Sequence, residues 1–273
     1  MYTIKNSERK NFIEAYDENN ALVGEAIISP FMESDIHDKQ RLNIYIDIDV
    51  KDIKDKKVIK DLMFDELLKR ARNIKRENED LDVKFYHCCF SDNKENIEYY
   101  SSKEGFKHDE GMYIIRKEIN EEKFNISIID DIEFVNLDFE DKTDMQQLVE
   151  EQNKVFNGGY SIDGLKEIKD KTEWVSIAAK HKGKIVGNVV VIVKNGEENI
   201  KYGWIDDLFV SKAVRKKGIG ENLLKLTFAK LKELHVNESR LEVWSSNKRA
   251  LSVYNKLGYK FLKETESSIG MFL

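Results

Sequence analysis

Two spacings of apolar residues divide the chain. In LNIYIDIDV (Leu42 to Val50) apolar and polar residues alternate, the repeat of a half-buried strand; Ile59, Met63, Phe64, Leu67, Ala71 and Ile74 then recur three and four apart, one face of a helix. A strand from Val83 to Phe90, a helix from Asn93 to Lys103, Gly105-Phe106 and a strand MYIIRK follow. Upstream, Arg9 to Tyr16 and Leu22 to Pro30 read as two strands joined by an Asp-Glu-Asn-Asn turn, with the chain's only proline ending the second.

The second half repeats this order. A strand at Ile132 to Leu137 leads to a helix from Lys142 to Phe156 with an apolar stripe at Met145, Leu148, Val149 and Val155. Asn157-Gly158-Gly159-Tyr160 breaks it, and a short helix follows from Ile162 to Ile168. WVSIAAKH and KIVGNVVVIVK form a hairpin around Lys182-Gly183, and Ile200 to Val210 completes an antiparallel run. The apolar run Ile205 to Val210, interrupted by Asp206 and Asp207, crosses a basic loop (Lys212, Arg215, Lys216, Lys217) into Gly218-Ile219-Gly220. Beyond it Ile219, Leu223, Leu224, Phe228, Leu231 and Leu234 mark a helix. Strand, glycine loop and helix make a phosphate cradle: the helix N-terminus offers unpaired N–H groups and a positive dipole end, and glycines let an anion approach. A strand at Arg240 to Trp244, a helix from Asn247 to Leu257 and closing strands through Leu273 end the chain.

Composition narrows the reading. The 273 residues, 41% hydrophobic, suffice for two ordinary cores, and a formal net charge of −6 argues against nucleic acid as the main partner. The chain lacks an apolar run that would span a bilayer, and MYTIKNSERK lacks the apolar centre of a signal peptide, so no membrane partner is expected. The only cysteines, Cys88 and Cys89, are adjacent within an apolar strand, which points to buried packing and a cytoplasmic location. None of the five histidines has metal-ligand or triad spacing, so no metal is expected.

The two closing motifs carry a family resemblance. Leu208, Val210, Arg215, Gly218 and Gly220 stand as Leu-x-Val followed by Arg-x-x-Gly-x-Gly, and Leu241, Val243, Asn247, Ala250, Tyr254, Gly258 and Tyr259 form a second signature downstream. Together they resemble the GCN5-related N-acetyltransferase (GNAT) superfamily. Lys212 stands where the family often has proline. The resemblance implies a mixed α/β (α+β) fold, a mostly antiparallel sheet flanked by helices, with two central parallel strands that splay apart at the glycine loop.

Laying Tyr45 to Phe64 on Ile205 to Leu224 without a gap pairs Val50 with Val210, Lys56 and Lys57 with Lys216 and Lys217, and Ile59 with Ile219. Arg215, Gly218 and Gly220 become Asp55, Val58 and Lys60. Side chains at both glycine positions and a carboxylate for a cation would crowd and repel a pyrophosphate. The expectation is a tandem protein: a degenerate GNAT-like domain over 1–120 and an active one over 121–273, joined through the acidic stretch Glu118 to Asp131. There Phe124, Ile126, Ile128 and Ile129 are placed to add a strand or to pack between domains.

The resemblance implies an acetyl-CoA-dependent N-acetyltransferase acting on a small-molecule or peptide primary amine, as a monomer or homodimer. Such transfer needs the amine proton removed, the oxyanion stabilised and the leaving thiolate protonated. The N–H of Val210, with Leu208 and Phe209 beside it, would polarise the thioester carbonyl. Main-chain N–H groups of Lys216, Lys217, Gly218, Ile219, Gly220 and Glu221 would hold the pyrophosphate, aided by Arg215, and Asn247 would bind the pantetheine arm. Tyr254 is the candidate general acid and Asp206, acting through water, the candidate base. Asp207, a candidate substrate-binding residue, should face the other way on the strand, so only one of the pair lines the cleft; either could instead be a solvated edge carboxylate, and the base is left open between Asp206, Asp207 and a water chain. Phe156, Tyr160, Trp174 and Trp244 are candidate acceptor-lining residues, with core packing as the alternative. A non-catalytic acyl-CoA sensor or interaction protein is the competing reading.

Overall fold

The computed structural model describes residues 1–33, 40–120, 123–156, 158–197 and 200–273. In chain order the elements are β1 (Thr3–Asn6), β2 (Phe12–Tyr16), β3 (Leu22–Glu33), β4 (Arg41–Val50), α1 (Lys56–Glu77), β5 (Asp82–Phe90), α2 (Lys94–Ser101) and β6 (Lys107–Glu118). They continue with β7 (Ile132–Asn136), α3 (Lys142–Val155), α4 (Ile162–Lys171), β8 (Trp174–His181), β9 (Lys184–Asn195), β10 (Lys201–Val210), α5 (Ile219–Glu233), β11 (Glu238–Trp244), α6 (Lys248–Lys256) and β12 (Lys260–Phe272). No helix among the described residues is long and apolar enough to cross a membrane.

The chain forms two compact units, and neither is a single stretch of sequence: Met1–Tyr113, Trp244–Arg249 and Glu264–Leu273 make the first, Ile114–Val243 and Ala250–Lys263 the second. A single cut at residue 120 or 121 therefore does not describe them. The end of β12 belongs to the first unit, paired with β5 from Glu266–Phe90 to Phe272–Lys84. Residue 121 itself lies outside the described residues.

In the first unit the strands are ordered β1-β2-β3-β4-β5-β12. The stripe on α1 buries Ile59, Met63, Phe64, Leu67 and Ala71, which join Ile44, Ile46, Phe85 and Tyr100 in one core. β3 does not end at Pro30 but stays paired with β4 as far as Glu33. Its other neighbour, β2, has already stopped pairing at Ile27, so the proline's missing N–H faces a vacant edge, where such a residue is tolerated. β4 and β5 run parallel and are paired only from Arg41–Asp82 to Tyr45–Tyr86, although both strands continue.

In the second unit the order is β11-β10-β9-β8-β7. Again the parallel pair is short: β10 meets β11 at Gly203–Ser239 and Trp204–Arg240, then runs on to Val210 paired only with antiparallel β9. α5 buries Ile219, Leu223, Leu224, Phe228 and Leu231. It crosses β10 at Gly203, where a Cβ would lie 2.5 Å from Leu231 Cδ1. On the other side Leu148 of α3 and Leu165 of α4 join Ile185, Val190 and Phe209 in a core. The described part of the acidic stretch adds no strand; Phe124 packs on Phe228 at 5.5 Å between ring centroids, and Asn222 holds the main chain of Ser127.

Candidate active site

The end of β10 and the start of α5 are joined by a short, heavily constrained loop. Ser211 N–H donates to Val186 O (2.8 Å), residues Lys212–Val214 form one 3₁₀ turn, and Arg215 Nε donates back to Val210 O (2.9 Å). That bond ties the loop to the strand end, so Arg215 has a main-chain role that sequence reasoning, which gave it only to the anion, missed. Lys216 and Gly218 both adopt positive φ, 64° and 84°, which turns the chain sharply into the helix. Gly218 is the N-cap and no side chain caps α5, so the first-turn N–H groups face outward with the helix dipole behind them.

The two glycines differ. A Cβ at Gly218 would meet nothing within 4 Å but would have to tolerate the left-handed backbone. At Gly220 a Cβ would sit 3.7 Å from Val210 Cγ2, an ordinary contact. The requirement for glycine is thus conformational at Gly218 and weak at Gly220. Phe209 and Ile219 are 2% and 1% exposed, so they offer a ligand only main-chain atoms. The Glu221 carboxylate is held by Lys256 (2.6 Å) and Lys225 (2.9 Å), which lower its pKa, again leaving its main chain. Leu208 and Val210 are half-buried, and Lys216, Lys217 and Gly218 are exposed.

Beside this loop a cavity of about 290 Å³ is lined by Gln152, Phe156, Gly158, Gly159, Tyr160, Asp206 and Asp207. Both aspartates line it, against the expectation from strand alternation. The register of β10 on β9 slips between Ile205 and Asp207. A bulge sets two residues against one, so neighbours no longer point to opposite faces. The Tyr160 hydroxyl donates a short hydrogen bond to Asp206 Oδ2; burial, then that bond, raises the phenol's pKa. Asp207 is different. Burial pushes its carboxyl up to about 7, with the Asp206 charge adding to the rise and Gln152 and the Leu208 N–H opposing it. Its Oδ2 is buried without a hydrogen-bond partner.

Gln152 was not anticipated, though the sequence held a signal: it is four residues past Leu148 on the apolar stripe of α3, and it is 3% exposed. Its Oε1 accepts from Tyr160 N–H (2.7 Å), which fixes the loop after α3 over the cavity. Asn157 lies outside the described residues. Trp174 does not line the cavity; it stacks on Phe139 at 4.3 Å as packing. Trp244 and Asn247 belong to the first compact unit, and neither lines the cavity.

Tyr254 on α6 is 8% exposed and packs edge-on against Tyr259, 5.5 Å between centroids. Burial, then the Asp207 charge, raises its pKa. It therefore stays protonated and feels the carboxylate that lines the cavity. Among the described residues no group of three or more His, Cys, Asp or Glu is placed to hold a metal.

The corresponding place in the first unit is filled. Where β4 leaves β5, His87 Nδ1 hydrogen-bonds the Ile46 carbonyl (2.9 Å) and its ring stacks on Tyr100 (4.1 Å). Lys60, which stands where the second half has Gly220, is 5% exposed, donates to Asn96 Oδ1 (3.0 Å) and lies over Tyr99 (4.4 Å).

A parallel pair that parts beside an uncapped helix N-terminus, in a mixed sheet flanked by helices, defines the GNAT class of acetyltransferase folds. Comparison with known proteins agrees. Residues 144–259 match the acetyltransferase (GNAT) family. N-alpha-acetyltransferase 30 of Dictyostelium discoideum is 27% identical over 135 residues, half of this chain and 71% of that protein. An N-alpha-acetyltransferase of Sulfurisphaera tokodaii is 28% identical over 129 residues, 44% of this chain and 77% of that protein. In fold, a GCN5-related N-acetyltransferase from Sphaerobacter thermophilus is similar across 96% of this chain and 81% of its own, with a TM-score of 0.53 at 13% identity. The second half of the chain thus resembles the GNAT family in sequence as well as in fold, and the relatives it matches are N-alpha-acetyltransferases.

Proposed function

We propose that the protein moves an acetyl group from acetyl-CoA to a primary amine by direct attack of the amine on the thioester. The observation that carries this reading is the uncapped, glycine-turned start of α5 beside a cavity floored by two carboxylates. The pyrophosphate would lie on main-chain N–H groups from Lys216 to Glu221, where Lys216, Lys217 and Arg215 add a favourable field. The Val210 N–H would polarise the carbonyl, a carboxylate of the bulge would accept the amine proton, and Tyr254, held protonated, would donate to the departing sulfur. An α-amine at a peptide N-terminus is the first acceptor to test, since relatives at 27% and 28% identity are N-alpha-acetyltransferases.

The first unit is proposed to be a degenerate copy of the same fold. In support, its parallel strands part in the same way, and the opening is occupied by Lys60, His87 and Tyr100. A cytoplasmic location is retained as a proposal.

The test is thiol release from acetyl-CoA with a free-amino-terminus tetrapeptide, spermidine and Nα-acetyllysine as acceptors. Tyr254→Phe should lower kcat by about 10²-fold, the usual worth of a positioned acid, with acetyl-CoA affinity unchanged. Coenzyme binding without turnover on any amine would favour a sensor instead, and full turnover by the phenylalanine variant would remove Tyr254 from the acid role.

A further inference from the structure

We propose that Asp207, and not Asp206, takes the proton from the incoming ammonium, with Gln152 as its positioning residue and Asp206 left to hold the amine's charge. This rests on the acetyl-transfer reading and assigns its proton path.

The bulge in β10 puts both carboxylates on the cavity, so position alone does not choose between them. Their partners do. Asp206 is exposed and already accepts a short hydrogen bond from the Tyr160 hydroxyl through Oδ2. A carboxylate so placed attracts a cation, but one of its oxygens is already engaged. Asp207 has a buried Oδ2 with no partner, a group that costs free energy unless something donates to it. An ammonium N–H entering the cavity is such a donor.

Gln152 explains how Asp207 is held. Because Oε1 of Gln152 accepts from Tyr160 N–H, its amide NH₂ is the end left for Asp207, and it favours the charged form. The same glutamine closes the loop over the site: a Cβ at Gly159 would lie 2.5 Å from Gln152 Oε1. The titratable groups that bear on Asp207 are Asp206 on its own strand, Tyr160 from the loop after α3 and Tyr254 from α6; no cationic side chain is among the residues lining the cavity. Burial first, then the Asp206 charge, with no cation lining the cavity to offset them, explain why this carboxyl is raised, to about 7, where a base is best matched to neutral pH.

The step balances as follows. The ammonium gives one proton to the Asp207 carboxylate. The freed lone pair forms the C–N bond to the acetyl carbon; the C–S bond breaks, and the sulfur takes the Tyr254 hydroxyl proton. The nitrogen loses its second proton to the tyrosinate, and Asp207 returns its own to water. The sum is ammonium plus acetyl thioester giving amide, thiol and one proton.

The experiment measures kcat against pH with acetyl-CoA and the free-amino-terminus tetrapeptide for the full chain and for Asp207→Asn, Asp206→Asn and Gln152→Leu. In the parent, kcat should rise through a limb near pH 7. Asp207→Asn should lose that limb and about 10²-fold in kcat while binding acetyl-CoA normally by calorimetry. Asp206→Asn should keep the limb and raise the peptide KM. Gln152→Leu should move the limb upward, because a donor to the charged form is gone, an effect that simple loosening of the fold would not produce. If Asp206→Asn loses the limb and Asp207→Asn keeps it, the assignment is wrong although acetyl transfer stands. If the parent releases no thiol with any amine, the acetyl-transfer reading itself fails, and this inference with it. Should Asp207→Asn not fold, the ¹³C carboxyl shift of Asp207 in the parent decides: titration near pH 7 that moves on adding peptide supports the proposal, and titration near that of an ordinary aspartate overturns it.

Discussion

Asp207→Asn is expected to make the second unit more stable while disabling it, and the pH dependence of that gain follows from the site. The carboxyl is raised from 3.8 to about 7 by burial and by Asp206. Between those values the native protein keeps a proton that the unfolded chain releases, so the contribution of this group to stability falls as pH rises. One proton gives a slope of about 1.4 kcal/mol per pH unit, and across the whole window the loss reaches about 4 kcal/mol. Asparagine carries no charge and escapes the loss. The variant should therefore match its parent at about pH 4, exceed it by about 2 kcal/mol at about pH 5.5 and by about 4 kcal/mol from about pH 7 upward. Water entering the cavity around the charged form would lower the plateau without changing the sign. The assay is urea unfolding over this pH range in a Trp244→Phe background, which leaves Trp174 and Trp204, both in the second unit, as reporters. A stability difference that does not change with pH, or one that favours the parent at neutral pH, would refute the claim that Asp207 is buried at a cost.

Other outcomes follow from the same geometry. Gly218→Val forces a β-branched residue to φ 84° and should cost about 1–2 kcal/mol of folding stability together with at least about tenfold in coenzyme A affinity, since the turn aims the N–H groups; normal calorimetric binding would count against the cradle. Calorimetry on the full chain should give one coenzyme A per molecule, because Lys60 and His87 occupy the opening between β4 and β5. A second site of similar affinity would end the degenerate-copy proposal. Coenzyme binding should also weaken with added salt, because Lys216 and Lys217 are exposed and act through a screened field.

What the sequence determined by itself was local. The stripe from Ile59 to Ala71 and the stripe from Ile219 to Leu231 each named a helix and its buried face, since a helix records its environment every three or four residues. Arg215, Gly218 and Gly220 marked the turn into α5, where a left-handed glycine is needed to start the helix without a cap. Tyr254 was legible through its spacing from Asn247 and Gly258, and the structure buries it against Tyr259; the acid role implied by resemblance is a proposal.

The rest depended on contacts between residues far apart in sequence. Nothing between Glu264 and Leu273 says that this strand completes the first unit, because pairing with β5 is made through main-chain groups that every residue carries. Strand alternation assigned Asp206 and Asp207 to opposite faces, and only the mismatch of β10 with β9 puts both on one cavity. Gln152 looked like an ordinary helix residue until the returning loop brought Tyr160 onto it. Sequence periodicity fixes which way a side chain points from its own element; which carboxylate is buried, and so which one is free to take a proton near neutral pH, is set by the elements that close over it.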